Sequence, residues 1–181
     1  YEMFYDDAKL ASKELELTLT GKDCGQEERA PMCGIPFHAA ESYITRLVSN
    51  GHKVAICEQM EDPKKAKGIV KREVIKVVTP STNLSAQSLD ETRNNYLCGI
   101  VYLGEKIGVS FIDYTTGDYF VTELENGSEL IDELNKFVPS EIIVNEYFNM
   151  SGIDISFVVE KLGISVSALD NWYFDEDTCN N

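Results

Sequence analysis

Residues 81–95 read STNLSAQSLDETRNN, a polar stretch between two segments with strong apolar patterning. Such a stretch supports no core of its own, so it breaks the chain into two modules rather than one layered domain. With 181 residues and 43% hydrophobic content, there is chain enough for two small domains, and the composition lies well outside the disordered range. Apolar runs such as Ile142–Val144 fall far short of the roughly 20 residues that cross a bilayer. The chain does not open with a basic segment followed by a long apolar one. Neither membrane insertion nor secretion is expected.

The two modules differ in charge. Residues 1–95 carry 13 Lys and Arg against 15 Asp and Glu, whereas residues 96–181 carry 3 against 16, so most of the net charge of −15 belongs to the second part. Attraction of a polyanion is available only from the first part. The second suits a solvated spacer or a protein-docking module. The five cysteines, at 24, 33, 57, 98 and 179, are odd in number and lack a CxxC pair, a pattern that suits free thiols in a reducing compartment.

In the first module, Ala8, Ala11 and Leu15 recur at helical spacing over Asp6–Glu16, with Asp6 and Asp7 at the end where backbone N–H groups favour carboxylates. A strand over Leu17–Thr20 and a loop over residues 21–30, which includes Lys22 and Arg29, follow. Pro31 to His38, with two prolines and a glycine, reads as a stiff shaped loop. Ala40, Tyr43, Ile44, Leu47 and Val48 form a helical stripe that stops at Asn50-Gly51, before a buried strand over Val54–Cys57. Ile69–Val78 is a further strand, on which strict alternation places Arg72, Val74, Lys76 and Val78 on one side. Neither side of it is cleanly apolar, as in a strand near a sheet edge.

After a short helical turn expected around Leu89, the second module opens with strands over Leu97–Leu103, Ile107–Asp113 and Tyr119–Leu124, joined by turn residues. A helix marked by Leu130, Ile131, Leu134 and Phe137 ends at Pro139, and the strand Ile142–Val144 follows. A meander, a crossover helix and a further strand imply a mixed sheet with helical cover. Ile155–Leu162 and Ile164–Leu169 can each add a helix or a strand, and residues 173–181 read as an acidic, frayed end.

Signs of catalysis are sparse. Gly21-Lys22 continues with Asp23-Cys24 and so does not complete a phosphate-binding loop; GxSxG and HExxH are absent from these residues. Cys33 and His38 are close in sequence but lack an orienting third group. Cys24, Cys33, Cys57 and His38 do not show the short ligand spacing of structural zinc sites. Asp113 and Asp118 could belong to a carboxylate-metal nuclease, but the preceding strand supplies no further carboxylate, and a hairpin-flanking role is the better reading.

Three blocks, YEMFYDDAKLAS (1–12), PMCGIPFHAAESYITRLVSNGHKVAICEQMEDP (31–63) and VKREVIKVVTPST (70–82), continuing into NYLCGIVY (95–102), resemble the amino-terminal part of the bacterial MutS family of DNA mismatch-recognition proteins. The resemblance implies an α/β (α+β) fold: a small mixed-sheet mismatch-recognition domain over residues 1–82 lacking its start, a linker over 83–95, and an incomplete ribonuclease-H-like connector domain over 96–181. The family's reading motif is Phe-x-Glu within GDFYE, where Tyr1 corresponds to the middle residue and Glu2 to the glutamate. The phenylalanine wedge would lie immediately upstream of residue 1.

By the same resemblance, Glu2 reaches the mispaired base and Met32 belongs to a PMAGIP-type segment near the minor groove, with a core-supporting loop as the alternative. Arg72 and Lys76 approach the phosphate backbone, where cations bind without reading sequence, with a salt-bridged surface strand as the alternative. The family's TPGT reads Thr79-Pro80-Ser81-Thr82 here, which alters the turn but not the base contact.

The implied mechanism is indirect readout: a mismatch weakens stacking, and the duplex kinks around a wedge plus one glutamate contact. The implied partner is mismatched double-stranded DNA, with a homodimer in whole family members and a MutL-type partner through the connector. No catalytic residue, cofactor or metal site is expected in these residues; ATP and magnesium belong to a carboxy-terminal ATPase of whole family members, and the implied location is the cytoplasm, at the nucleoid when on DNA. The competing class is an interaction or scaffold fragment of a MutS relative without mismatch reading.

Overall fold

The computed structural model describes residues 1–25, 27–63, 68–83 and 94–180. The chain divides into two compact units, one running from Tyr1 to Thr79 and the other beginning at Pro80. The turn expected around Leu89 lies outside the described residues.

The first unit starts with β1 (Glu2–Phe4) and α1 (Tyr5–Glu14). Ala8 and Ala11 are buried on α1, and their small side chains let the helix lie close to the sheet, with Leu15, Cys33 and Leu47 completing the core. The helix closes through Glu16, which adopts a left-handed conformation (φ 56°), while the Leu17 N–H reaches back to the Ser12 carbonyl at 2.9 Å. This closing turn occupies the start of the strand expected over Leu17–Thr20 and defers it to β2 (Thr20–Lys22).

The segment expected as a stiff loop contains β3 (Ala30–Gly34), the middle strand of a three-stranded sheet ordered β1-β3-β2. Proline is rare inside sheets because it lacks an N–H. Here β1 pairs only with Met32–Gly34 and β2 only with Ala30–Met32, so Pro31 has a strand on one side alone and is tolerated.

A single 3-10 turn (Phe37–Ala39) leads into α2 (Ala40–Ser49), which buries Ala40, Leu47 and Val48. β4 (Val54–Gln59) and β5 (Arg72–Val78) form a separate hairpin. All strand pairing in this unit is antiparallel among the described residues, which corrects the mixed sheet expected for it. Val54–Cys57 is likewise not buried throughout: the strand alternates half-buried and exposed, because a two-stranded ribbon is covered on one face only.

In the second unit β6 (Tyr96–Tyr102), β7 (Ile107–Asp113) and β8 (Tyr119–Leu124) form the antiparallel meander. α3 (Gly127–Phe137) crosses over to β9 (Glu141–Asn145), which pairs parallel to β6. α4 (Glu146–Asn149) and α5 (Ser156–Leu162) then lead to β10 (Ser165–Leu169), parallel to β9. The segments left open by periodicity are thus a helix followed by a strand, and the sheet order is β10-β9-β6-β7-β8. The end expected to fray carries a 3-10 turn (Asn171–Phe174) and α6 (Glu176–Cys179).

Alternation explains this sheet. Cys98 and Ile100 on β6, and Ile107, Val109 and Phe111 on β7, are buried with Leu130 and Leu134 of α3. Phe111 stacks on Phe137 with ring centroids 4.1 Å apart. The Asn126 side chain caps α3 by accepting from the Ser128 and Glu129 N–H groups, each at 3.1 Å, and Glu129 returns a bond to the Glu125 N–H at 2.8 Å. Where β9 ends, Asn145 prolongs the ladder with its side chain: its Oδ1 accepts from the Tyr102 N–H at 3.0 Å and its Nδ2 donates to the Tyr102 carbonyl at 3.1 Å.

Candidate nucleic-acid interface

Register fixes which side chains share a face of the small sheet. Glu2 stands opposite Gly34, Phe4 and Thr20 both stand opposite Met32, and Lys22 stands opposite Ala30, so these seven positions lie on one face. The other face carries Met3 and Cys33 towards the core. Glu2, expected at the mispaired base, and Met32, expected near the minor groove, are therefore brought to the same side.

Glu2 is exposed, and its Oε2 accepts from Lys22 Nζ at 2.7 Å. The same ammonium lies 5.2 Å from the centre of the Phe4 ring. Lys22 was expected in a loop; its place at the end of β2 is what aims it across the sheet. Met32 is half-buried, and Thr20 Oγ1 donates to its carbonyl at 2.9 Å, so this methionine belongs to a pinned strand rather than to a loop.

Tyr1 anchors the start of β1. Its nitrogen donates to the Ile35 carbonyl at 2.8 Å, and its carbonyl accepts from the Ile35 N–H at 2.9 Å. Its ring stacks on Phe37, centroids 5.8 Å apart and planes 25° apart, and its hydroxyl donates to Glu58 on β4. That hydrogen bond, with a lesser contribution from burial and from the negative charge of Glu58, pushes the Tyr1 phenol above the usual tyrosine range. Phe37 is 77% exposed, which leaves an aromatic surface beside the Glu2 strand.

Arg72 and Lys76 are placed differently from expectation. The β4–β5 register shifts between Ile56 and Cys57: Cys57 pairs with Val74 and Ile56 with Lys76, so Ile75 is the extra residue of a bulge. Arg72 then lies on the face of Gln59, Cys57 and Val77, and Lys76 on the opposite face with Ile56 and Glu73. Both are exposed. Arg72 Nη1 donates to the Val70 carbonyl at 3.1 Å, and neither cation has a salt bridge among the described residues, whereas neighbouring Lys71 pairs with Glu73 at 2.5 Å.

The side chains considered for catalysis have other partners. Cys33 is buried, its Sγ donates to the Ala8 carbonyl at 3.5 Å, and burial raises its thiol above the usual range, which disfavours a thiolate. Asp113 is buried at the β7–β8 turn, where it accepts from the Asn95 N–H at 2.9 Å and from the Thr115 N–H and hydroxyl at 2.8 and 2.6 Å. Its burial opposes ionisation, yet these bonds outweigh that and hold its carboxyl below the usual aspartate range. Among the described residues, no cluster of three or more His, Cys, Asp or Glu side chains is placed to hold a metal ion, and no helix is long and apolar enough to cross a membrane.

The first unit thus presents a strand-borne glutamate beside aromatic and cationic side chains, and a second α/β unit follows it in the chain. Residues 1–87 match the model of MutS domain I, and residues 95–181 match that of MutS domain II. The DNA mismatch repair protein MutS of Lachnoclostridium phytofermentans is 61% identical over 98% of this chain and 19% of its own length. The proteins of the same description from Ruminiclostridium cellulolyticum and Acetivibrio thermocellus are 53% and 50% identical, over 97% and 98% of this chain and 20% and 21% of their own lengths. The chain belongs to the MutS family and corresponds to its domains I and II. It spans about a fifth of the length of the curated relatives it matches.

Proposed function

We propose that the first unit recognises mispaired or unpaired bases in double-stranded DNA from the minor groove. Glu2 accepts a hydrogen bond from a base edge, while an aromatic wedge directly preceding Tyr1 enters the weakened stack and the duplex kinks around it. Met32 supports this strand from the same face, and Arg72 and Lys76 meet phosphates on either side of the β4–β5 ribbon without reading sequence. The observation that carries the reading is the placement of Glu2: an exposed carboxylate on a strand held by the Tyr1–Ile35 bonds, on one face with Phe4, Met32 and Lys22. A carboxylate gains nothing from phosphates, so a base contact is what would justify its place there.

The second unit acts as the connector. Its order, an antiparallel meander followed by two parallel strands on the far side of β6, supports a ribonuclease-H-like fold. In this reading the recognition domain spans 1–82, the linker 83–95 and the connector 96–181. The density of acidic residues in the connector suits a MutL-type protein partner better than DNA. Homodimerisation, an ATP- and magnesium-dependent ATPase elsewhere in the polypeptide, and action in the cytoplasm at the nucleoid complete the proposal.

The test is binding of the intact protein that carries these residues to a G·T or unpaired-base duplex and to the matched homoduplex. A preference for the first, reduced about tenfold or more by Glu2→Ala, is expected from the loss of one base contact. Equal affinity of the unaltered protein for both duplexes would sink the reading.

A further inference from the structure

Glu2 poses an electrostatic difficulty for any reading in which it approaches DNA, because an uncompensated carboxylate is repelled by phosphates within a screening length of about 8–10 Å. Lys22 answers it. Its Nζ is 2.7 Å from Oε2 of Glu2, and the same ammonium lies 5.2 Å from the centre of the Phe4 ring. One lysine thus contacts both outward-facing side chains of β1. It occupies only one carboxylate oxygen: Oε1 of Glu2 has no hydrogen-bond partner among the described residues.

We propose that Lys22 is a positioning residue for mismatch reading, which holds Glu2 by Oε2, cancels its charge as the strand meets the groove, and leaves Oε1 to accept from the base edge. This rests on the reading of Glu2 given above. It assigns to a cation on the DNA-facing side a role other than phosphate neutralisation, and the two roles have different signatures. A phosphate contact contributes equally to matched and mismatched DNA, and its loss lowers the slope of log affinity against log salt by about one. A residue acting through Glu2 changes the mismatch-to-homoduplex ratio and has nothing to act through once Glu2 is altered.

The experiment is a double-mutant cycle in the intact protein that carries these residues, with Lys22→Met, Glu2→Ala and both together, read as affinity for a G·T duplex and its homoduplex over a range of salt. Lys22→Met is expected to lower the ratio on the order of tenfold. Lys22→Arg is expected to restore most of it, and Lys22→Met to change it little further when Glu2 is alanine. An equal loss on both duplexes with a reduced salt slope, or a ratio effect that persists undiminished in the Glu2→Ala background, overturns the assignment while leaving Glu2 as the reader. A ratio unaffected by Glu2→Ala overturns the reading of Glu2 and the assignment with it.

Discussion

The phenol of Tyr1 donates to the carboxylate of Glu58, so the strand that carries Glu2 is tied to the β4–β5 ribbon by the residue that precedes it. The bond raises the Tyr1 phenol, chiefly because ionisation would break it, with smaller contributions from burial and from the negative charge of Glu58. A group raised in this way adds stability below its unfolded value of about 10 and loses that contribution as pH rises through the higher folded value. The difference between the 295 nm titrations of the unaltered protein and Tyr1→Phe should therefore have its midpoint above about 10, and Glu58→Gln should bring it back down. A midpoint unmoved by Glu58→Gln would contradict the assignment.

Gly34 faces Glu2 across the sheet, and a Cβ built on it would lie 3.2 Å from the Tyr1 carbonyl oxygen. That atom is backbone, so accommodation must come from the strand itself. Gly34→Ala should leave the fold intact, since a shift of a few tenths of an ångström is enough, yet it should displace Glu2. A severalfold fall in mismatch preference, with a melting temperature close to that of the unaltered protein, is expected. A full preference in a stably folded variant would show that reading tolerates this displacement.

Asp113 makes a prediction about acid. Burial raises its carboxyl, but hydrogen bonds from the side chain and N–H of Thr115 and from the N–H groups of Asn95 and Thr116 more than offset this, and the net direction is down. Its contribution to stability is complete above the unfolded value of about 3.9 and disappears as pH falls through the lower folded value. Asp113→Asn, which turns a donor towards donors, should cost about 1.5–3 kcal/mol at neutral pH. Urea unfolding should show that gap narrowing between about pH 5 and pH 2; a gap constant over that range would mean that Asp113 stabilises by packing alone.

Much of the second unit was legible because its strands obey a simple rule. Ile107–Phe111 alternates apolar with small or polar residues, the turns carry Gly104 and Gly117, and Pro139 follows α3, so the meander, the helix and the next strand could be read directly, with β6 and β9 displaced by a residue at their ends. The first unit resists the same treatment. β2 has three residues, too few to display a period, and so Lys22 passed for a loop residue. β3 contains a proline that only the staggered pairing of its neighbours makes acceptable. Nothing in Arg72–Val78 marks Ile75 as an inserted residue, so strict alternation put Lys76 on the wrong face. Glu2 was legible only by family resemblance: composition and spacing do not distinguish a base-reading carboxylate from any other exposed one.

Pro80 and Ser81, which follow the first unit, are fastened within the second. Ser81 is buried and donates its hydroxyl to Glu141, itself buried, at 2.7 Å, while Asn95 Nδ2 donates to the carbonyls of Pro80 and Ser81 at 3.3 and 3.1 Å. The composition break at residues 81–95 is therefore a poor place to cut. A piece expressed from residue 96 onward would deprive the Glu141 carboxylate of Ser81 and the Asp113 carboxylate of the Asn95 N–H, and the serviceable place for scissors lies ahead of Pro80.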